Sequence, residues 1–130
     1  VMADTRNNND MILNLALSYG SRAEIVEAVQ KIAKKVKKGH LTPKDISESM
    51  FADHLYTANL PDPDLLIRTS GESRLSNFLL WQAAYAELIV RSEPWPAFTR
   101  LCLEDSFLEF SKRERRFGLT GEQLKGGKKC

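Results

Sequence analysis

Few features of this chain point to the usual special environments. Its 130 residues hold only two cysteines, Cys102 and Cys130, with no metal-ligand spacing, so they read as free thiols rather than a disulfide framework. No apolar run approaches the roughly 20 residues of a membrane span, and no signal-peptide pattern opens the chain. The expected compartment is therefore cytosolic. A net charge of +2 leaves no global field for nucleic acid, while the pI of about 8.6 suits anionic ligands. There are no internal repeats, and the length allows one domain with a modest core.

The most informative stretch runs from Asp64 to Glu87. Leu65, Leu66 and Ile67 follow a Pro-Asp-Pro-Asp turn and predict a short strand buried on both faces of a parallel sheet, with Arg68 at its carboxyl end. Residues 77–86 carry no charge, which predicts a helix buried nearly all round, with Ser76 or Asn77 as its N-cap. The loop between holds Arg68 and Arg74, several hydroxyls and Gly71, at the place where open α/β sheets bind ligands. Two arginines beside a helix start attract phosphate or diphosphate. The plainer use of such an arginine is an ion pair with Glu72.

Around this stretch, residues 1–10 are polar and read as a linker or fragment end. Residues 11–17 are apolar on both parities and predict another covered parallel strand. Ser21 to Glu24 has the form of a capping box opening a helix, with Ile25, Val26, Val29, Ile32, Ala33 and Val36 as its buried stripe and Gly39 as its stop. Lysines crowd its last turns, where they complement the helix dipole, a simpler role than a nucleic-acid patch. Thr42-Pro43 opens a further helical region reaching Thr57, in which His54 reads as a surface or packing residue. Leu88 to Val90 predicts a third strand, with Glu87 at its junction with the preceding helix. A last helix is expected over residues 103–117, with Leu103, Phe107, Phe110 and Phe117 on one face, followed by a disordered tail over 119–130. Strands alternating with helices predict an α/β fold with a parallel sheet and flanking helices.

The run from Asp64 to Glu87, with Trp95-Pro96 and Arg113-Glu114-Arg115-Arg116-Phe117-Gly118, closely resembles the carboxyl-terminal half of the cis-prenyltransferases, typified by undecaprenyl diphosphate synthase. The resemblance covers about Leu13 to Gly118, so residues 11–118 are expected to form the carboxyl-terminal part of such a domain. It implies magnesium-dependent condensation of isopentenyl diphosphate with an allylic diphosphate, yielding a polyprenyl diphosphate of the cell-wall lipid-carrier type. By the same resemblance, Arg68, Arg74, Leu75 and Ser76 bind isopentenyl diphosphate, and Glu87 helps to hold Mg2+. The Arg-x-Gly element, Arg116 and Gly118, reaches the partner's site in a homodimer. A cytoplasmic enzyme with peripheral membrane contact for product release is the implied setting. The family's His-x-Met-Asp-Gly-Asn-Gly-Arg-Trp motif has no counterpart here. The chain is accordingly expected to be an incomplete piece, without catalytic residues and inactive alone. The alternative is a non-catalytic partner subunit of a two-component prenyltransferase.

Overall fold

The computed structural model describes residues 2–116 and 118. In chain order it contains α1 (Met2–Thr5), α2 (Ser21–Lys37), a 3-10 turn (Pro43–Asp45), α3 (Glu48–Ala52), β1 (Leu65–Arg68), β2 (Glu87–Val90), a second 3-10 turn (Trp95–Ala97) and α4 (Arg100–Ser111). Strands β1 and β2 pair in parallel, with Leu65 opposite Glu87 and Arg68 opposite Val90. Helix α4 packs on β2, and α2 packs on α3. This is the expected α/β arrangement of a parallel sheet with flanking helices.

The sheet has two strands among the described residues, where the sequence predicts three. Residues 11–17 form no regular element, and Met11, Ile12, Leu13, Leu15 and Leu17 are 70–83% exposed. Apolar residues on both parities form a strand only where neighbours supply a ladder and cover both faces. No described strand pairs with this segment. For the same reason β1 is half-buried along its length rather than covered on both faces.

A second departure is residues 77–86, which form a chain of turns and no helix. Ser76, Asn77 and Leu79 all have positive φ, at 50°, 62° and 46°. Left-handed residues break the repeating geometry of a right-handed helix at its first turn. The uncharged run marked a segment free to approach the core, yet Gln82 is its one fully buried side chain.

Helix α2 forms as expected and stops before Gly39, whose φ of 72° suits glycine at a helix end. Its buried face is Ser21, Glu24, Ala28 and Ile32. The expected stripe is thus rotated, leaving Val26 and Val29 exposed. Thr42 and Asp45 make a reciprocal cap on the 3-10 turn, and Ser47 caps α3 by accepting the Met50 N–H. Residues 2–5 form one helical turn inside the expected linker. Helix α4 begins three residues before its expected start, capped by Thr99, and ends at Ser111. Phe117, the tail over 119–130 and Cys130 lie outside the described residues.

Candidate anion site

Arg68 ends β1 and points its guanidinium at Ser76, with Nη2 3.4 Å from Oγ. Its Nε is buried and has no hydrogen-bond partner, an unusual state for a strong donor. The backbone beyond Arg68 turns through Ser70 (φ 65°) and Gly71 (φ 68°). Their N–H groups donate to the carbonyls of Glu93 (2.9 Å) and Arg91 (2.8 Å), fastening the loop to the chain leaving β2. Arg74 is exposed and ion-paired with Glu72, the plainer use the sequence allowed. Leu75 is half-buried, and its carbonyl accepts the Phe78 N–H at 3.1 Å.

The expected helix N-terminus at Ser76 or Asn77 does not exist, so it contributes no dipole to the loop. Asn77 caps the other helix instead: its carbonyl accepts the Ser21 N–H and its Oδ1 accepts the Arg22 N–H, both at 2.9 Å. The approach is close enough that a Cβ on Gly20 would lie 3.0 Å from Asn77 Nδ2, which is why glycine precedes α2. The Ser21–Glu24 capping box does not form either. Ser21 Oγ accepts the Leu80 N–H at 3.0 Å, and the Glu24 carboxylate turns inward. Fully buried, Glu24 accepts from Tyr19 Oη (2.5 Å), the Tyr56 N–H (2.7 Å) and Gln82 Nε2 (3.3 Å). Burial, then the bond to Glu24, holds the Tyr19 hydroxyl above its ordinary pKa. The sequence carried a signal for this: Glu24, Ala28 and Ile32 recur at four-residue steps on one helix face.

Glu87 opens β2 at the opposite end of the strand pair from Arg68, about 10 Å of strand away at ~3.3 Å per residue. Arg113, just past α4, donates through Nη1 to Glu87 Oε2 and to the Leu88 carbonyl, both at 2.9 Å, and through Nη2 to Glu109 Oε1 at 2.6 Å. Arg115 pairs with Asp64, the residue before β1. Arg116 is exposed and pairs with Glu114 at 3.1 Å. Gly118 has φ 81°, and a Cβ there would touch the Tyr85 ring at 4.0 Å. The structure thus brings Arg68 and Ser76 together, holds Arg74 on Glu72, and gathers Glu87 and Arg116 near the other end. The sequence reading named Arg113 and Arg115 only within the charged end of the last helix and gave them no partner; their signal was the alternation of basic and acidic residues after that helix.

His54 packs its Nδ1 against the Met50 carbonyl (2.7 Å), with Nε2 2.7 Å from Lys35 Nζ, as a packing histidine does. Among the described residues no three carboxylate, histidine or cysteine side chains lie together as a cation cage. In this arrangement the Glu87 carboxylate is paired with Arg113. No helix of the described residues is long and apolar enough to cross a membrane.

A parallel β pair with flanking helices places the chain among the α/β proteins, and the arginine-bearing loop lies at the carboxyl end of the pair, where open α/β sheets commonly have their ligand crevice. Two solved structures share this arrangement. Lavandulyl diphosphate synthase from Lavandula x intermedia, in complex with dimethylallyl diphosphate, superposes with a TM-score of 0.83 at 44% identity, over 88% of this chain and 49% of that one. A probable undecaprenyl diphosphate synthase from Campylobacter jejuni gives 0.72 at 35%, over 89% and 51%. Residues 1–118 match the family described as putative undecaprenyl diphosphate synthase, and the chain belongs to that family. Curated relatives include an isoprenyl transferase of Chlorobaculum tepidum, 54% identical over 93% of this chain and 46% of its own length. Another, the farnesyl-diphosphate-specific ditrans,polycis-undecaprenyl-diphosphate synthase of Vibrio cholerae, is 52% identical over 93% and 48%. The chain spans about half the length of the curated relatives it matches.

Proposed function

We propose that this chain carries the isopentenyl diphosphate subsite of an enzyme that condenses isopentenyl diphosphate onto an allylic diphosphate to make a polyprenyl diphosphate. The observation that carries the reading is Arg68, whose buried Nε lacks a partner beside the Ser76 hydroxyl. A diphosphate oxygen would complete that donor. Fixed cationic donors stabilise phosphate charge without reorganising as the reaction proceeds, and a guanidinium fork also orients the ligand. Arg74 joins the site by exchanging Glu72 for a second diphosphate oxygen, and Leu75 lines it. The test is the steady-state kinetics of Arg68→Ala, Arg74→Ala and Ser76→Ala in the complete enzyme. An unchanged KM for isopentenyl diphosphate in Arg68→Ala and Arg74→Ala would end the assignment.

Magnesium enters this reading through the family pattern, with Glu87 as its assigned residue. Calorimetric titration of magnesium into the wild type and Glu87→Gln tests that assignment, and equal affinities would remove Glu87 from it. The position of Arg116, beyond the far end of the strands from Arg68, favours action on the site of a second copy in a homodimer. The cytoplasmic setting and peripheral membrane contact follow from a lipid product. Expressed alone, the 130 residues are expected to bind diphosphate without turnover, and to gain activity when the remaining half of the enzyme is supplied as a separate chain.

A further inference from the structure

The segment after α4 is tied down more firmly than an exposed connector requires. Arg113 has three acceptors drawn from three places: the Glu87 carboxylate at the start of β2, the Leu88 carbonyl within it, and Glu109 in the last turns of α4. Two residues on, Arg115 reaches across to Asp64, immediately before β1. The two strand starts are themselves joined, since the Glu87 N–H donates to the Asp64 carbonyl at 2.9 Å. Residues 113–115 therefore lie across the amino ends of both strands, each arginine matched to the acid that opens one of them. The Glu87 carboxylate, followed by Glu109, raises the pKa of Arg113, so its charge is constant at any working pH.

We propose that Arg113 and Arg115 are positioning residues for Arg116, fixing through Glu87 and Asp64 where the Arg116–Gly118 element leaves the fold. Two anchors two residues apart determine both the place and the direction of the next residue. Arg116 has only Glu114, two residues away, as its ion partner among the described residues, so nothing beyond the anchored segment orients it. Gly118, left-handed at φ 81°, then turns the chain against Tyr85. The same geometry gives Glu87 a task separate from metal binding: it holds the guanidinium that holds the segment. The functional half of this inference rests on the reading that Arg116 contacts a diphosphate; the anchoring half does not.

The experiment compares wild type, Arg113→Ala, Arg113→Lys, Asp64→Asn, Arg116→Ala and the Arg113→Ala/Arg116→Ala double variant, each checked for an unchanged circular dichroism spectrum. The first readout is the rate of tryptic cleavage after Arg116, followed by mass spectrometry. Removing Arg113 is expected to speed that cleavage about fivefold, the scale of a partly exposed ion-pair network, with Asp64→Asn showing the same trend and Arg113→Lys falling between. The second readout is the affinity for inorganic pyrophosphate by calorimetry. Arg113→Ala is expected to weaken it by about the same factor as Arg116→Ala, with no further loss in the double variant. Unchanged cleavage in Arg113→Ala and Asp64→Asn overturns the anchoring. Faster cleavage with a pyrophosphate loss in Arg116→Ala alone overturns the positioning role. If Arg116→Ala itself costs no affinity, the diphosphate reading of Arg116 fails while the anchoring stands.

Discussion

The two ends of the β1–β2 pair hold the same kinds of side chain in opposite states. At the amino end Asp64 and Glu87 each face an arginine, and Arg113 also pairs with Glu109. At the carboxyl end Arg74 and Arg91 are matched by Glu72 and Glu93, but Arg68 has a hydroxyl at 3.4 Å and no carboxylate partner among the described residues. A buried Nε outside any hydrogen bond occurs at both ends, on Arg68 and on Arg115, so the missing carboxylate is what sets Arg68 apart. A paired guanidinium must give up its carboxylate to take a ligand, so it gains less from the exchange than an unpaired one, as Arg74 would in leaving Glu72. An under-bonded guanidinium gains from every oxygen that arrives. The amino end thus holds chain to chain, and the difference is what favours the carboxyl end as the proposed anion site.

The sharpest test of this contrast is Arg68→Ala in the complete enzyme. It removes charge-assisted bonds of roughly 1.5–3 kcal/mol, lowering kcat/KM for isopentenyl diphosphate by ~10- to 150-fold. A loss of that size from Arg113→Ala, measured in parallel, would erase the distinction between the ends. Next in size is Glu24→Ala, which touches neither end. It leaves the Tyr56 N–H and the Tyr19 hydroxyl without their acceptor, while the Gln82 amide keeps Thr57, so unfolding free energy is expected to drop by about 1–3 kcal/mol in urea titrations. A neutral result would show that the interior carboxylate is dispensable.

Smaller again is the stability share of the amino-end pairs. Arg113→Ala and Asp64→Asn are each expected to cost no more than ~1 kcal/mol, and less at high salt, because these side chains keep solvent contact. A penalty that persists in 1 M salt would mean that packing, not charge, does the holding. The least effect is expected from acid at Glu93, whose carboxyl is held below the usual glutamate range by its own backbone N–H and then by Arg91. With the folded pKa depressed, its contribution is present above the ordinary glutamate pKa and fades as pH falls through the lowered value. Side-chain NMR of Arg91 should report release in that acid window, while the Ser70 to Glu93 backbone bond persists.

Which parts of this were legible in the sequence depends on how local their causes are. Leu65 to Arg68 and Leu88 to Val90 read correctly because short apolar runs bounded by turn residues suit parallel strands, and α2 because its helical period and glycine stop are written within it. Arg68 and Ser76 were found together because one loop joins them. Residues 77–86 misled because lack of charge speaks of burial and not of period. What decides their path is Asn77 serving a helix 55 residues earlier, which no local pattern displays. Glu24 failed in the same way, since a serine three residues ahead of a glutamate looks like a cap until the partners from elsewhere are known. The tether at Asp64 and Glu87 was hidden for want of a register: only the parallel pairing sets those two acids side by side.

Glu24 also fixes an order of assembly. Its helix can form early, from contacts within 17 residues, while the acid is still hydrated and indifferent to its surroundings. Its acceptors are filled only when residues 32 and 58 positions later arrive, and each doubling of such a loop adds about 0.6 kcal/mol of closure entropy. Tyr19, five residues away, can reach the carboxylate early, whereas the carboxylate's contacts with Tyr56 and Gln82 wait on the distant segments. That makes Glu24 a checkpoint: a chain whose later turns are misplaced keeps a solvated acid at the face of α2 and cannot close its core around it.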